Sequence, residues 1–359
     1  MSGGAESDLS RLFTLFWHPV ATLEELRAAA PQPLAVTLLG RQLAVADLGP
    51  AGLAAVADRC LHRSARLSVG WVDEGTIRCG YHGWRWDAGG RCVEIPSMPD
   101  GPIPPKACLP AYDVEVAYGM VWVRLDGSAG TTIPACPAWD DAAMKVVAGA
   151  PYTWPVGAPR RVENFVDLAH FAWVHDGSLG RRDQPVPPIP SIRRRAGEMR
   201  FDYDPPDMQA DDVALYGYSA YRVPMPLTVD IGFTLDPEPD GTPVRRHLWM
   251  TASPVDDATT RSFWVVARTD RHDEDDTPHL AFQDLVLAED EPLVTNQDPP
   301  ELHLDPAFEI SVRTDRVSLE YRRWLRELVA AHAEGGPEAV ATVLAAPRSI
   351  DAPTAPLPT

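Results

Sequence analysis

Two short loops, each offering one thiolate and one imidazole, constrain this chain more than any other feature. Cys60-Leu61-His62 is followed, after sixteen residues, by Cys79-Gly80-Tyr81-His82, a C-x-H…C-x-x-H pattern. In an extended loop, residues i and i+2 face the same side, so Cys60 and His62 can reach one centre. A turn brings Cys79 and His82 to it from the other side. The flanking chain, to about Leu125, reads as short strands. Val36–Leu39, Leu43–Ala46, Ala54–Asp58, Thr76–Cys79 and Tyr112–Arg124 are apolar-rich or alternating, and turns such as Ala88-Gly89-Gly90 separate them. Both ligand pairs therefore sit at strand ends in a small antiparallel domain.

Two Cys on one iron and two His on the other are the ligands of a Rieske [2Fe–2S] cluster, and the neutral imidazoles raise its potential. The rival is a structural zinc site with two Cys and two His. Gly80 and Gly83 favour the cluster, because they allow the backbone to approach the sulfurs and donate N–H bonds. Trp84 and Trp86 are placed to shield it from water. Five cysteines in all make a full disulfide framework unlikely, and Cys92, Cys108 and Cys136 read as ordinary thiols.

A second constellation follows a Pro/Gly/Thr-rich linker at Gly127–Pro137. Arg161–Val174 reads as one helix, with Asn164, Asp167 and His170 spaced by three on one face. His175 lies five residues beyond His170, so it joins His170 on one metal only if the helix bends or ends near Trp173. Two His and one carboxylate leave positions open on Fe(II). Farther on, Thr228–Leu235 and Ser262–Ala267 read as strands, and His279–Thr295 and Val317–His332 as helices with Leu-rich apolar faces. His18, His247, His272, His279, His303 and His332 lack such company and read as structural or solvated.

Cys60-Leu61-His62-Arg63 with Gly80-Tyr81-His82-Gly83-Trp84 resembles the Rieske non-haem iron oxygenases, in particular the oxygenase (α) subunits of the vanillate O-demethylase and phenoxybenzoate dioxygenase type. That resemblance runs from about Phe16 to Leu328. It implies an α+β chain: a Rieske antiparallel β domain over residues 1–137, then a helix-grip catalytic domain over 138–335, then a mobile Ala/Pro-rich tail over 336–359. It implies a cluster held by Cys60, His62, Cys79 and His82, and a mononuclear Fe(II) held by His170, His175 and an acid from Glu289-Asp290. Asp290 is the choice, with Glu289, Asp284 and Asp298 as rivals. Asp167 matches the family's bridging acid, which links His170 to the His82 of a neighbouring subunit in a ring-shaped homotrimer. Asn164 matches a position near the iron, where it holds a water or touches substrate.

The implied activity is O2-dependent oxidation of an aromatic or heterocyclic small molecule, with electrons from a ferredoxin or an NAD(P)H-dependent reductase. Fold alone does not fix which oxidation. Tyr216, Tyr218, Tyr221, Met225, Phe233, Trp249 and Trp264 are candidates for an apolar pocket. A Rieske electron carrier without its own oxygen chemistry, or a zinc-stabilised binding protein, are the alternatives. A net charge of −19 argues against nucleic-acid and anionic-membrane partners. No signal peptide or membrane span is read, so the expected compartment is the cytoplasm. Within Arg59–Glu94, six arginines (Arg59, Arg63, Arg66, Arg78, Arg85, Arg91) against four acids leave a local balance of +2, a patch suited to an acidic electron donor.

Overall fold

A computed structural model describes residues 7–203 and 218–353. The chain divides into two units, residues 1–133 with 253–256, and residues 134–252 with 257–359. No helix among the described residues is long and apolar enough to cross a membrane.

The first unit opens with helix α1 (Asp8–Phe13), strand β1 (His18–Thr22) and helix α2 (Leu23–Ala29). Thr22 and Glu25 exchange hydrogen bonds as a capping box that starts α2. Strands β2 (Leu34–Leu38), β3 (Arg41–Asp47) and β4 (Leu53–Ala57) form one antiparallel sheet. Strands β5 (Trp71–Asp73), β6 (Thr76–Arg78), β7 (Arg85–Trp86) and β8 (Cys92–Glu94) form a second. A third pairs β10 (Met120–Arg124) with β1 and with β9 (Asp113–Ala117). The run expected over Tyr112–Arg124 is thus a hairpin, turned at Tyr118-Gly119, where both residues take positive φ. Trp86, Leu67, Ile77 and Val56 form the core around Cys60 and Cys79.

In the second unit, helix α3 (Pro137–Asp140) precedes strands β11 (Lys145–Ala148) and β12 (Tyr152–Trp154). Helices α4 (Ala158–Val166) and α5 (Phe171–Val174) come next. Strands β13 (Ile192–Arg195), β14 (Glu198–Tyr203), β15 (Ser219–Pro224), β16 (Thr228–Leu235), β17 (Val244–Asp256) and β18 (Thr259–Arg268) then build the sheet, followed by helices α6 (Thr277–Val294) and α7 (Arg316–Ala345) and strand β19 (Arg348–Ile350). The sheet runs β11-β18-β17-β16-β15-β14-β13-β19, with β12 also on β18. Trp324, Leu325 and Leu328 of α7 are fully buried, and Tyr321 donates its hydroxyl to Pro226 O at 2.9 Å.

Three expectations differ from this structure. The single helix over Arg161–Val174 is two helices, because Asp167 is extended (φ −80, ψ 113) and its carboxylate accepts the Ala169 N–H, an Asx-type turn that competes with the helix. Asn164, Asp167 and His170 therefore do not share one helical face. The tail expected from residue 336 is structured as far as Ile350. Gly336 (φ 64) kinks α7, Pro337 begins a further helical run, Val340 is buried, and β19 pairs with β13. Finally, α6 does not bury a leucine face. Leu285 and Leu293 are exposed, and Gln283, Val286, Leu287, Asp290 and Val294 point inward.

His18 in the first unit is fully buried and its Nε2 faces Phe13 O at 2.8 Å. Burial lowers its pKa from 6.5 to about 4, against the raising effect of that hydrogen bond. The unfolded chain binds this proton more tightly, so the neutral ring's stabilisation is complete above pH 6.5 and is lost as pH falls towards about 4. Urea unfolding of the protein and of His18→Gln should diverge across that window by about 3 kcal/mol. A pH-independent difference would contradict the buried neutral imidazole.

Candidate metal centres

In the first unit the two ligand loops are held by their own backbones. Cys60 N–H donates to Ala65 O at 2.8 Å and Ser64 N–H returns to Cys60 O at 2.9 Å. Cys79 N–H donates to Trp84 O at 2.9 Å and Gly83 N–H to Cys79 O at 3.0 Å. Gly83 (φ 73) thus closes its own turn, and its N–H is not free for a sulfur. The entry to the second loop packs on Gly70, where a Cβ would lie 2.1 Å from Arg78 O.

Cys60 and Cys79 are each 1% exposed, with thiols in hydrogen-bonding contact. His62 and His82 stand together with ring centroids 4.4 Å apart, and Trp84 stacks on His62 at 4.8 Å. Burial, and then the Cys79 thiol, push the Cys60 thiol up to about 11, although a backbone hydrogen bond at His62 opposes them. The buried His62 Nδ1 has no hydrogen-bond partner among the described residues. Two buried thiols and an unpartnered imidazole nitrogen fit a metal–sulfur cluster whose positive irons favour thiolate. Of the six arginines nearby, Arg78 and Arg85 are committed to Asp73, Glu74 and Glu94, which removes them from any docking patch.

The second centre begins where α4 ends. Pro159 starts the helix, Val166 ends it, and Asp167 leads into the one-turn α5 with His170 at its N-terminus. His175 leaves that turn (φ −104, ψ 33), and its carbonyl accepts the N–H groups of Ser178, Leu179 and Gly180. Gly180 is required there, because a Cβ would lie 2.2 Å from Phe171 O. The break and the exit turn His175 back towards His170, with ring centroids 5.1 Å apart.

From α6, Asp290 Oδ1 lies 3.2 Å from His175 Nε2 and 3.6 Å from His170 Nε2. One ligand atom from each of His170, His175 and Asp290 falls within 4.8 Å of the others. The rivals are elsewhere: Asp284 and Asp298 are exposed, and Glu289 accepts from His175 Nδ1 at 2.7 Å and from Ser178 Oγ at 2.7 Å. That bond orients the His175 ring and leaves Nε2 towards the centre. Asp167 Oδ2 stands 3.8 Å from His170 Nδ1, and Asn164 Nδ2 donates to Asp290 Oδ1 at 3.1 Å.

Arg161 had no sequence signal as a site residue, since its role depends on contacts with Asp290 far along the chain. Its side chain is fully buried beneath Tyr152, Trp154 and Phe165, and it donates to Asn164 Oδ1. Its Nη1 is 3.8 Å from Asp290 Oδ2. Burial opposes ionisation of Asp290, but His175, Arg161 and His170 together keep its pKa below the ordinary value. Burial also lowers His170, whereas Asp290 and Glu289 overcome burial to raise His175. An anionic carboxylate facing two Nε2 atoms, with open space beside it, fits a divalent metal.

That open space is a mostly apolar cavity. Phe165, Phe171, Leu179, Tyr203, Tyr221 and Phe233 contribute to its lining, and Gln283 from α6 adds a buried amide with no partner among the described residues. Of the sheet-region candidates, most of which read as core, Tyr221 and Phe233 line it. Met225, Trp249 and Trp264 are core residues, Tyr218 is exposed, and Tyr216 lies outside the described residues. Tyr203, Phe171 and Gln283 were not legible as lining, because alternation marks a buried face without showing which part of it is hollow.

Residues 16–113 match the Rieske [2Fe-2S] domain, and residues 155–331 match the vanillate O-demethylase oxygenase C-terminal domain. The chain is 43% identical to the methylxanthine N1-demethylase NdmA of Pseudomonas putida, over 89% of this chain and 90% of that protein. It is 41% identical to the methylxanthine N3-demethylase NdmB of the same organism, with the same two shares. A solved structure of the N1-demethylase with caffeine superposes with a TM-score of 0.88 at 40% identity, covering 98% of this chain and 100% of that one. Dicamba monooxygenase bound to dicamba, at 22% identity and a TM-score of 0.73, shares the fold.

Gly70→Ala should prevent cluster assembly, because its Cβ would meet backbone rather than a flexible side chain. The purified variant should lack the visible absorbance and acid-labile sulfide of the parent. Normal sulfide content would show that the second loop does not need this close approach.

Proposed function

The chain belongs to the Rieske non-haem iron oxygenases, and we propose that within this family it is the oxygenase component of an N-demethylase acting on a flat, N-methylated heterocycle of the methylxanthine class. The observation that carries this reading is the juxtaposition of the His170–His175–Asp290 cluster with an aromatic cavity whose lining includes the unspent amide of Gln283. A planar, polar-edged ring suits such a slot, with aromatic faces for its plane and an amide for an edge atom. Identity above 40% to two methylxanthine demethylases supports the same substrate class.

Cys60, Cys79, His62 and His82 hold the cluster, and His170, His175 and Asp290 hold the iron. When bound, the iron supplies dioxygen activation with electrons delivered through the cluster. Every other contribution comes from side chains of this chain. Glu289 fixes the His175 ring. Arg161 and Asn164 balance and orient Asp290. Phe171, Tyr203, Tyr221 and Phe233 exclude water from the space where the N-methyl group sits. The net change consumes O2, two electrons and two protons, and converts N–CH3 into N–H, formaldehyde and water.

The electrons enter from an external reductase or ferredoxin. His82 is exposed, as are Tyr81 against its ring and Leu61 in the other ligand loop. Asp167 is partly exposed and borders a cavity with Leu293 and Ile310, and Trp173 and Val312 are also exposed in this unit. These surfaces support assembly of a homotrimer, with electrons passing from the His82 of one copy through Asp167 to the His170 of the next.

With a reductase supplied, N-methylated xanthines should yield one formaldehyde per demethylated ring. Absence of formaldehyde across this class, from protein with full iron and sulfide, would sink the reading. Cys79→Ser and His170→Ala should each be inactive alone and should recover partial activity when co-expressed, because a cluster in one copy serves the iron of another. No recovery in verified mixed oligomers would rule out transfer between copies. Asp167→Asn should retain both metals and lose most turnover, and full activity in it would remove the bridging role.

A further inference from the structure

Phe233, Leu248 and Gln283 line the cavity at the iron triad, and they also line a second cavity in the same unit. The aromatic slot at the triad is about 50 Å³, room for about four water molecules, and His170 and Asp290 also border a separate cavity of about 330 Å³ on the Asp167 side. The second cavity lined by Gln283 is about 300 Å³. A bicyclic ring lying in this aromatic slot with its methyl group at the triad would extend past Gln283 into the larger space.

That space has an unusual electrostatic lining for so acidic a chain. Arg246, His247, Arg268, Arg271 and His279 all contribute, and no Asp or Glu does among the described residues. The neighbouring acids lie outside the lining and are shared. Asp270 meets both Arg246 (2.8 Å) and Arg271 (3.7 Å), and Asp276 meets both Arg268 (2.6 Å) and Lys145 (2.9 Å). With Glu274, which touches Arg271 at 4.0 Å, three acids behind the wall serve the three lining arginines, and Lys145 outside the lining shares one of them. His247 Nδ1 faces Asp230 at 3.3 Å. Arg268 is 3% exposed, and its Nε has no hydrogen-bond partner among the described residues. Burial first, and then the charges of Arg268 and Arg246, hold His279 below its ordinary pKa, with Asp270 opposing them.

We infer that this compartment is a recognition site for an anionic oxygen, and that the substrate is an N-methylated heterocycle carrying negative charge at the end remote from the reacting methyl group. The oxyanion is either a ring enolate, as in a methylated urate, or a carboxylate on a side arm. The inference rests on the N-demethylase reading and narrows its substrate class.

Calorimetric titration of the oxidised holoenzyme, which does not turn over, tests it at mildly alkaline pH. The ligands are a neutral trimethylxanthine, the trimethylurate anion with the same methyl pattern, and a dimethylxanthine bearing a carboxymethyl arm. At least one anion should bind about tenfold more tightly than the neutral ring, with the preference shrinking as salt rises. Which anion is preferred tells the enolate from the carboxylate. Arg271→Gln, at a half-exposed position, and Arg246→Gln should each weaken anion binding by a larger factor than neutral binding. Equal binding of neutral and anionic ligands, or a preference untouched by both substitutions, overturns the oxyanion site and leaves the N-demethylase reading standing. Binding of none of the three overturns both.

Discussion

The catalytic unit depends on one buried carboxylate. Asp290 sits on the inward face of α6 at 4% exposure, where an isolated negative charge would be driven to take up a proton. Four groups keep it anionic. His175 and His170 face Oδ1 through their Nε2 atoms, Asn164 donates to the same oxygen, and the Arg161 guanidinium stands behind Oδ2. Arg161 is itself buried, and the faces of Tyr152, Trp154 and Phe165 provide its compensation. Removing Asp290 would thus leave a buried cation and two histidines without their common partner.

The interruption between α4 and α5 makes this arrangement attainable. A continuous helix would turn His175 well away from His170. Asp167 ends the helix by capping Ala169, and the same carboxylate remains beside His170 Nδ1. One side chain thereby shapes the backbone and supports a ligand. At the far end of α5, the His175 carbonyl takes three successive N–H groups, and Gly180 permits that crowding. Glu289, adjacent to Asp290, orients the second ring from behind.

The inverted polarity of α6 links the metal site to substrate selection. This helix buries a Gln and an Asp and exposes two leucines, a poor arrangement for core packing and a useful one for a cavity wall. Gln283 and Asp290 are two turns apart on that wall, so the helix spaces the polar edge of the slot from its metal end. Arg246 and Arg268 on the adjoining strands β17 and β18 then place cations beyond Gln283. Ring plane, polar edge and remote charge are each met by a different element of one fold.

The amino-acid sequence by itself determined the chemistry that comes from residues close together in the chain. Cys60, His62, Cys79 and His82 lie within 23 residues, so short-range loop geometry suffices to make them a cluster site. The His170/His175 spacing likewise carried its own demand for a broken helix. Which of Asp290, Glu289, Asp284 and Asp298 stands beside both His170 and His175 was decided by tertiary structure, since four acids on or near one helix are equivalent until its rotation is known. The same holds for Arg161, Gln283 and the basic compartment, whose members come from strands and helices far apart in the chain. Periodicity reports that a face is buried, and only the packing of whole elements shows whether it meets a neighbour, a metal or an open cavity.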